Sequence, residues 1–196
     1  MKRVRRIASA LAAVIAVAGF CLSPSCGGGD DTVPGGRTAT FGPFPGAPPP
    51  PPLSVTMQPG PTSGDTFTIR IAVKEVSDFF GAAFHITYDY RSGAFVSMDS
   101  SGSFLQGAGI QPGSFLAVVA SPGDLAVVAT RFQNAGGTVP GVYGDGDLLV
   151  LTFRATADTS GNSFNFIAPR EVEVCTSTTG CTALAVTWSG GLLTAN

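Results

Sequence analysis

From Thr66 to Lys74 the chain alternates. Phe67, Ile69, Ile71 and Val73 are apolar, Thr68, Arg70 and Lys74 between them are polar, and Ala72 is neutral. A period of two marks a β-strand with one buried face. The pattern returns with Phe84, Ile86 and Tyr88 set against His85, Thr87 and Asp89. Further strands are predicted over 94–98, 114–120, 124–132, 147–156, 163–174 and 183–194. The dipeptides Pro112-Gly113, Pro122-Gly123, Gly136-Gly137 and Asp145-Gly146 supply turns between them. No ten-residue window carries a helical period, and there is no tandem repeat. About nine strands at this spacing predict an all-β fold, a two-sheet sandwich over residues 53–196.

The first 52 residues follow another pattern. Met1-Lys2-Arg3-Val4-Arg5-Arg6 is basic, and Ile7 to Phe20 is apolar but too short to span a bilayer. Leu22-Ser23-Pro24-Ser25-Cys26 and a glycine run follow. Residues 1–25 therefore read as a secretory signal peptide. A cysteine at the cut point, after Ser25 and before Gly27, resembles the lipoprotein signal of bacteria. On that resemblance Cys26 is the lipidation site. The chain is then exported and anchored at the cell envelope, with the outer membrane expected because no Asp follows the cysteine. Pro24 and the position of Leu22 depart from the usual pattern, and Phe20 is too bulky to precede a cut at Cys21. Ordinary cleavage and secretion is the alternative. Residues 26–52 read as a disordered Gly/Pro-rich linker. Pro48 to Pro52 would form a polyproline II rod, and the 26 residues over 27–52, extended at about 3.1 Å each, reach about 80 Å at most. A Pro-rich run is also a ligand for groove-type modules; between a lipid site and a domain, a spacer is the preferred reading.

Composition supports the β reading: 26 Gly and 15 Pro give many turns, charged residues are only 12%, and Phe at 14 dominates the aromatics. Charge changes once the signal is set aside. Of 11 basic residues, Lys2, Arg3, Arg5 and Arg6 lie in the signal, leaving seven against 13 acids, a net charge of −6. An acidic chain argues against nucleic acid and against electrostatic docking on anionic lipid. Contact with the membrane is expected through the lipid anchor only. After the signal no stretch is long and apolar enough for a transmembrane helix.

Candidate chemistry is sparse. Cys175 and Cys181 flank Thr176-Ser177-Thr178-Thr179-Gly180, and in an oxidising compartment such a pair reads as a disulfide pinning a hairpin tip. A metal site is the alternative, with no His nearby to complete it. His85 is the single histidine, and it alternates away from Phe84 and Ile86. With Asp89 near it could be half of a catalytic pair, yet no nucleophile elbow accompanies it. A polar residue on an open face is the plainer reading. Glu171 and Glu173 share one strand face, where a solvated strip is commoner than the opposed acids of a glycosidase. Asp145 and Asp147 read as turn chemistry, with at most a weak calcium contribution. Stacking on sugar would use Trp188, Tyr88, Tyr90 or Tyr143. Tyr88 and Trp188 alternate inward, leaving Tyr90 and Tyr143, a thin platform. No catalytic residue, metal or cofactor is assigned.

The order of motifs carries a resemblance. Val76 to Asp89 (Val-Ser-Asp-Phe-Phe-Gly-Ala-Ala-Phe-His-Ile-Thr-Tyr-Asp) is followed by Phe95-Val96-Ser97-Met98 and Gly102-Ser103-Phe104-Leu105. Gly144-Asp145-Gly146-Asp147-Leu148 to Ala155 and Val186-Thr187-Trp188-Ser189-Gly190-Gly191 complete the series. Residues 53–196 resemble a cohesin domain. The resemblance implies a nine-stranded jelly-roll sandwich, similar to one superfamily of carbohydrate-binding modules. It also implies a sheet face that binds a dockerin, a small calcium-binding helical domain. The matched motifs are core and turn residues, so no binding residue is carried over.

The expected function is a lipid-anchored envelope module that binds a protein partner, a dockerin-type domain first, with His85 and Thr87 on an exposed face. Binding of a polysaccharide is the alternative. A hydrolase or a purely structural envelope protein ranks lower, so the chain is not expected to be an enzyme.

Overall fold

The strand that begins at Thr66 continues to Thr87, so two predicted strands are one, although the alternation of buried and exposed positions lapses between Glu75 and Ala82. The computed structural model describes residues 36–106, 113–133, 139–176 and 180–196. Their strands are β1 (Ala39–Pro43), β2 (Ser54–Ser63), β3 (Thr66–Thr87), β4 (Gly93–Asp99), β5 (Gly113–Ser121) and β6 (Asp124–Arg131). There follow β7 (Val142–Ala155), β8 (Thr159–Thr176), β9 (Gly180–Leu184), β10 (Thr187–Ser189) and β11 (Gly191–Ala195). Among the described residues the only helical element is a 3-10 turn, Phe104–Gln106, and none of them forms a helix long and apolar enough to cross a membrane.

β3 serves both layers of the sandwich. Its first half lies between β2 and β7, with Ile71 opposite Met57 and Leu149. β4 extends this layer beyond β7, and β10 joins β2 in parallel. The second half of β3 lies between β6 and β8, with Ile86 opposite Leu125 and Phe166. β5 and β9 complete that layer at its two edges. The change of layer occurs at residues 74–78, where Glu75 and Asp78 adopt left-handed φ values of 50° and 53°. The backbone N–H of Glu75 donates to Asp145 Oδ1, which fixes the first of these turns.

The inward residues of both halves meet in one core. Phe67, Ile69, Ile71, Phe84 and Ile86 are buried. At one end Phe153 and Phe164 pack edge to face at 5.0 Å, and Tyr88 stacks on Phe164 at 5.3 Å. Asn162, 3% exposed, is buried without an unmet group. Its amide bonds to the N–H and C=O of Asp89 and to Ser92 Oγ, tying β8 to the turn after β3.

The expected linker over 26–52 needs correction in its second half. Ala39–Pro43 forms β1 and pairs along β11, with Ala39 opposite Ala195 and Phe41 opposite Leu193. Phe41 is 3% exposed and packs edge to face on Phe164 at 5.6 Å. The proline run is also part of the folded unit, which spans Pro34–Asn196. Proline has no N–H to give but keeps its carbonyl acceptor. Lys74 Nζ donates to Pro50 O at 2.9 Å and Ser54 Oγ to Pro51 O at 2.7 Å, so the run lies on the domain as a strap. The signal, Cys26 and the turn at Gly136-Gly137 lie outside the described residues. The stretch 183–194 also divides, into β9, β10 and β11, where one strand was expected.

Candidate functional site

The two layers differ in what their outer faces carry. On the first layer the outward positions of β3 hold Arg70, which pairs with Asp147 at 3.1 Å, and Lys74, which holds the strap. Ser54 and Thr56 on β2 are buried there. On the second layer the outward positions are Gly81, Ala83, His85 and Thr87 of β3, flanked by β6 and β8. These side chains are small, and a trough of about 180 Å³ runs between Val128 and Thr130 on one side and Glu171 and Glu173 on the other. Gly81 is required: a Cβ there would sit 2.6 Å from Thr130 Oγ1 and 2.9 Å from the Ala129 carbonyl.

Beyond the trough the face becomes apolar. Leu116 and Val118 of β5 lie opposite Val128 and Ala126 of β6. They are 51% and 48% exposed, on a strand that among the described residues pairs with β6 alone. Ile167 of β8 lies opposite His85 on the other flank. Exposed apolar side chains beside an unpaired strand edge are what a protein surface normally avoids unless a partner covers them.

His85 and Thr87 both sit on this face, half-buried. The partner of His85 is Asp124, 39 residues away, at 2.8 Å through Nδ1. It is not Asp89, whose carboxylate accepts the N–H of Arg91 in a turn. No hydroxyl or thiol among the described residues bonds to His85. The arrangement orients an imidazole at the surface and holds no nucleophile against it. Glu171 and Glu173 share the face as expected, opposite Ala83 and Gly81. Asp145 and Asp147 are engaged by Glu75 N–H and Arg70. Cys175 and Cys181 face each other across β8 and β9 and are disulfide-bonded. Among the described residues they, with Glu173, make the one cluster at metal-ligand spacing, and the bonded sulfurs are not free to coordinate. Tyr90 and Tyr143 are exposed and Tyr88 is buried. Trp188 is half-buried and packs on Phe84 and Phe166.

A model of the cohesin domain matches residues 53–172. The chain belongs to the cohesin family. No curated protein matches it. Among solved structures, one similar chain is the sixth cohesin of scaffoldin B from Acetivibrio cellulolyticus, in complex with a Cel5 dockerin. It is 19% identical, with 72% of this chain and 97% of that one covered and a TM-score of 0.55. The seventh ScaB type I cohesin of Pseudobacteroides cellulosolvens is 12% identical, covering 71% and 90%, with a TM-score of 0.54. A type I cohesin–dockerin complex from Clostridium thermocellum gives 15% identity, 71% and 96% coverage and a TM-score of 0.51. At these identities the likeness is one of fold, and it agrees with the jelly-roll sandwich expected from the motifs. In this cohesin the strap and β1 lie upstream of the matched stretch. The sequence reading missed Asp124 as the partner of His85, and it missed Leu116 and Val118 as surface. Phe115 to Ala120 is a continuous apolar run, so the sequence carries no signal for which of its side chains face outward; the pairing with β6 sets that phase.

Proposed function

We propose that this cohesin domain is a protein-binding module that captures a dockerin-type partner on the outward face of β8, β3, β6 and β5. The observation that carries the reading is an uncovered face of small and apolar residues in a member of a family of non-catalytic binding modules. Related cohesins are found in complex with dockerins, which supports the partner class. A flat sheet centre lets a partner helix approach closely, and Leu116, Val118 and Ile167 provide apolar contact that becomes dry on binding. Glu171, Glu173 and Asp124 favour a partner with basic side chains at the rim.

We further propose that export and lipidation at Cys26 fix the module to the cell envelope, on the outer membrane. Several acyl chains at about 0.8 kcal/mol per buried methylene make such an anchor durable. Incorporation of labelled palmitate that is lost in Cys26→Ser tests this; a secreted, unlabelled wild-type chain overturns it.

Docking is tested by titrating the full chain with purified dockerin domains in calcium. Ala83→Arg fills the trough and is expected to abolish binding, while Arg70→Ala on the opposite layer leaves it intact. Equal binding by wild type and Ala83→Arg overturns the assignment of the face. Absence of binding to any dockerin, with saturable capture of an unrelated envelope protein, overturns the partner class.

A further inference from the structure

A second concave site lies between the proline strap and the end of the sandwich, bordering the docking face at Asn165. It has a volume of about 590 Å³, within the ordinary range for a small-ligand site. Phe44 and the prolines 48–51 form one wall; Trp188 and Arg170 lie in the other, with Gln58 and Asn165 also lining the space.

The walls are fixed by packing. Trp188 rests on Phe166 at 5.0 Å and Phe84 at 5.7 Å, and it is anchored to the core. Arg170 lies 6.0 Å from the indole centroid, and its Nη1 donates to the Phe166 carbonyl at 2.9 Å. The strap is held by Lys74 and Ser54. The site is thus bounded on both sides before any ligand arrives.

Its chemistry is mixed in a specific way. The proline rings present flat apolar surface, beside the part of the indole that Arg170, Phe84 and Phe166 leave open. The remaining guanidinium N–H groups of Arg170 and the carboxamide of Asn165 have no side-chain or backbone partner among the described residues. A wholly apolar ligand would strip water from these donors without replacing it. A multiply charged anion would meet one cation, because Arg170 is the only charged residue among the described residues of the lining. The ligand that satisfies both surfaces has an apolar face and a perimeter of hydroxyls, as a pyranose ring has.

We propose that this cleft binds a pyranose unit of a neutral oligosaccharide, seated against Trp188 and the prolines, its hydroxyls paired with Arg170 and Asn165. Asn165 lies opposite Thr87, so the cleft adjoins the docking face along β8. The protein would then hold a glycan and a protein partner on neighbouring surfaces.

The chain contains a single Trp, so its fluorescence reports this cleft alone. The full chain is titrated with cellohexaose, xylohexaose, mannohexaose and a proline-rich decapeptide. The expected result is a saturable change in emission with at least one hexasaccharide. Arg170→Ala should weaken binding about tenfold or more, the scale of a lost charge-assisted hydrogen bond. Asn165→Ala serves as a second variant should Arg170→Ala fail to fold, and calorimetry gives a readout independent of the indole. No saturable response to any of the three sugars overturns the proposal. So does a response to the peptide alone, or sugar binding undiminished in both folded variants.

Discussion

Tyr143 and Asp78 show how one contact changes a residue's chemistry. The phenol donates to the Asp78 carboxylate, and this hydrogen bond raises the Tyr143 pKa above the ordinary tyrosine value. The sign follows: the contact stabilises the fold at all pH values below the unfolded pKa, about 10. It is lost as pH rises through the raised value. Ultraviolet titration of tyrosinate should show one late-ionising tyrosine in addition to the buried Tyr88, whose pKa desolvation also raises. Asp78→Asn should return Tyr143 to the ordinary range, since Asn also tolerates the left-handed backbone at that position. An unchanged titration curve would remove the contact. Gly81 is the second sensitive position. Gly81→Ala drives a methyl to 2.6 Å from Thr130 Oγ1 and should cost about 1–3 kcal/mol by overpacking. Thr130→Gly in the same chain should recover part of that loss in a urea denaturation cycle. Additive losses would show that the two positions do not collide.

At the scale of elements, β3 is the organising strand, and its inward phase was legible. Phe67, Ile69, Ile71, Phe84 and Ile86 are buried as their alternation predicts. The join between its halves was not legible. Glu75 and Asp78 take left-handed turns inside a strand, which period two does not signal. β8 and β9 depend on a crosslink as well as a ladder. Cys175 and Cys181 are directly opposed and bonded at their shared hairpin. The closed loop is short, so the chain-entropy gain is about 2 kcal/mol. Replacing both cysteines by Ser should lower stability by about that amount, read as a shift in urea midpoint at constant slope. Reductant should move the wild type by the same amount and leave the double variant unmoved. A wild-type midpoint indifferent to reductant would exclude a stabilising role.

At the scale of the whole molecule, the boundary of the domain decides its stability. The family match begins at residue 53, but the folded unit begins at Pro34. Phe41 fills the aromatic end of the core, and the strap covers part of the first layer. A chain starting at Leu53 should therefore be less stable than one starting at Pro34. Phe41→Ala alone should account for about 3–5 kcal/mol. Equal midpoints for the two chains would make β1 an ornament. The two layers are likewise unequal only in the assembled molecule. One is strapped and carries an ion pair; the other is left with Leu116 and Val118 in water.

The sequence by itself determined the β class, the inward phase of β3, the acidic balance of the chain and the family, and it pointed to the pairing of Cys175 with Cys181. Each of these depends on local period, composition or motif order, which need no knowledge of distant contacts. Tertiary structure decided what those elements meet. It paired His85 with Asp124 instead of Asp89, left one layer uncovered, and turned a run of prolines from spacer into wall. Polyproline satisfies none of its own carbonyls. Whether it stands free or lies down depends on donors elsewhere in the chain, here Lys74 and Ser54.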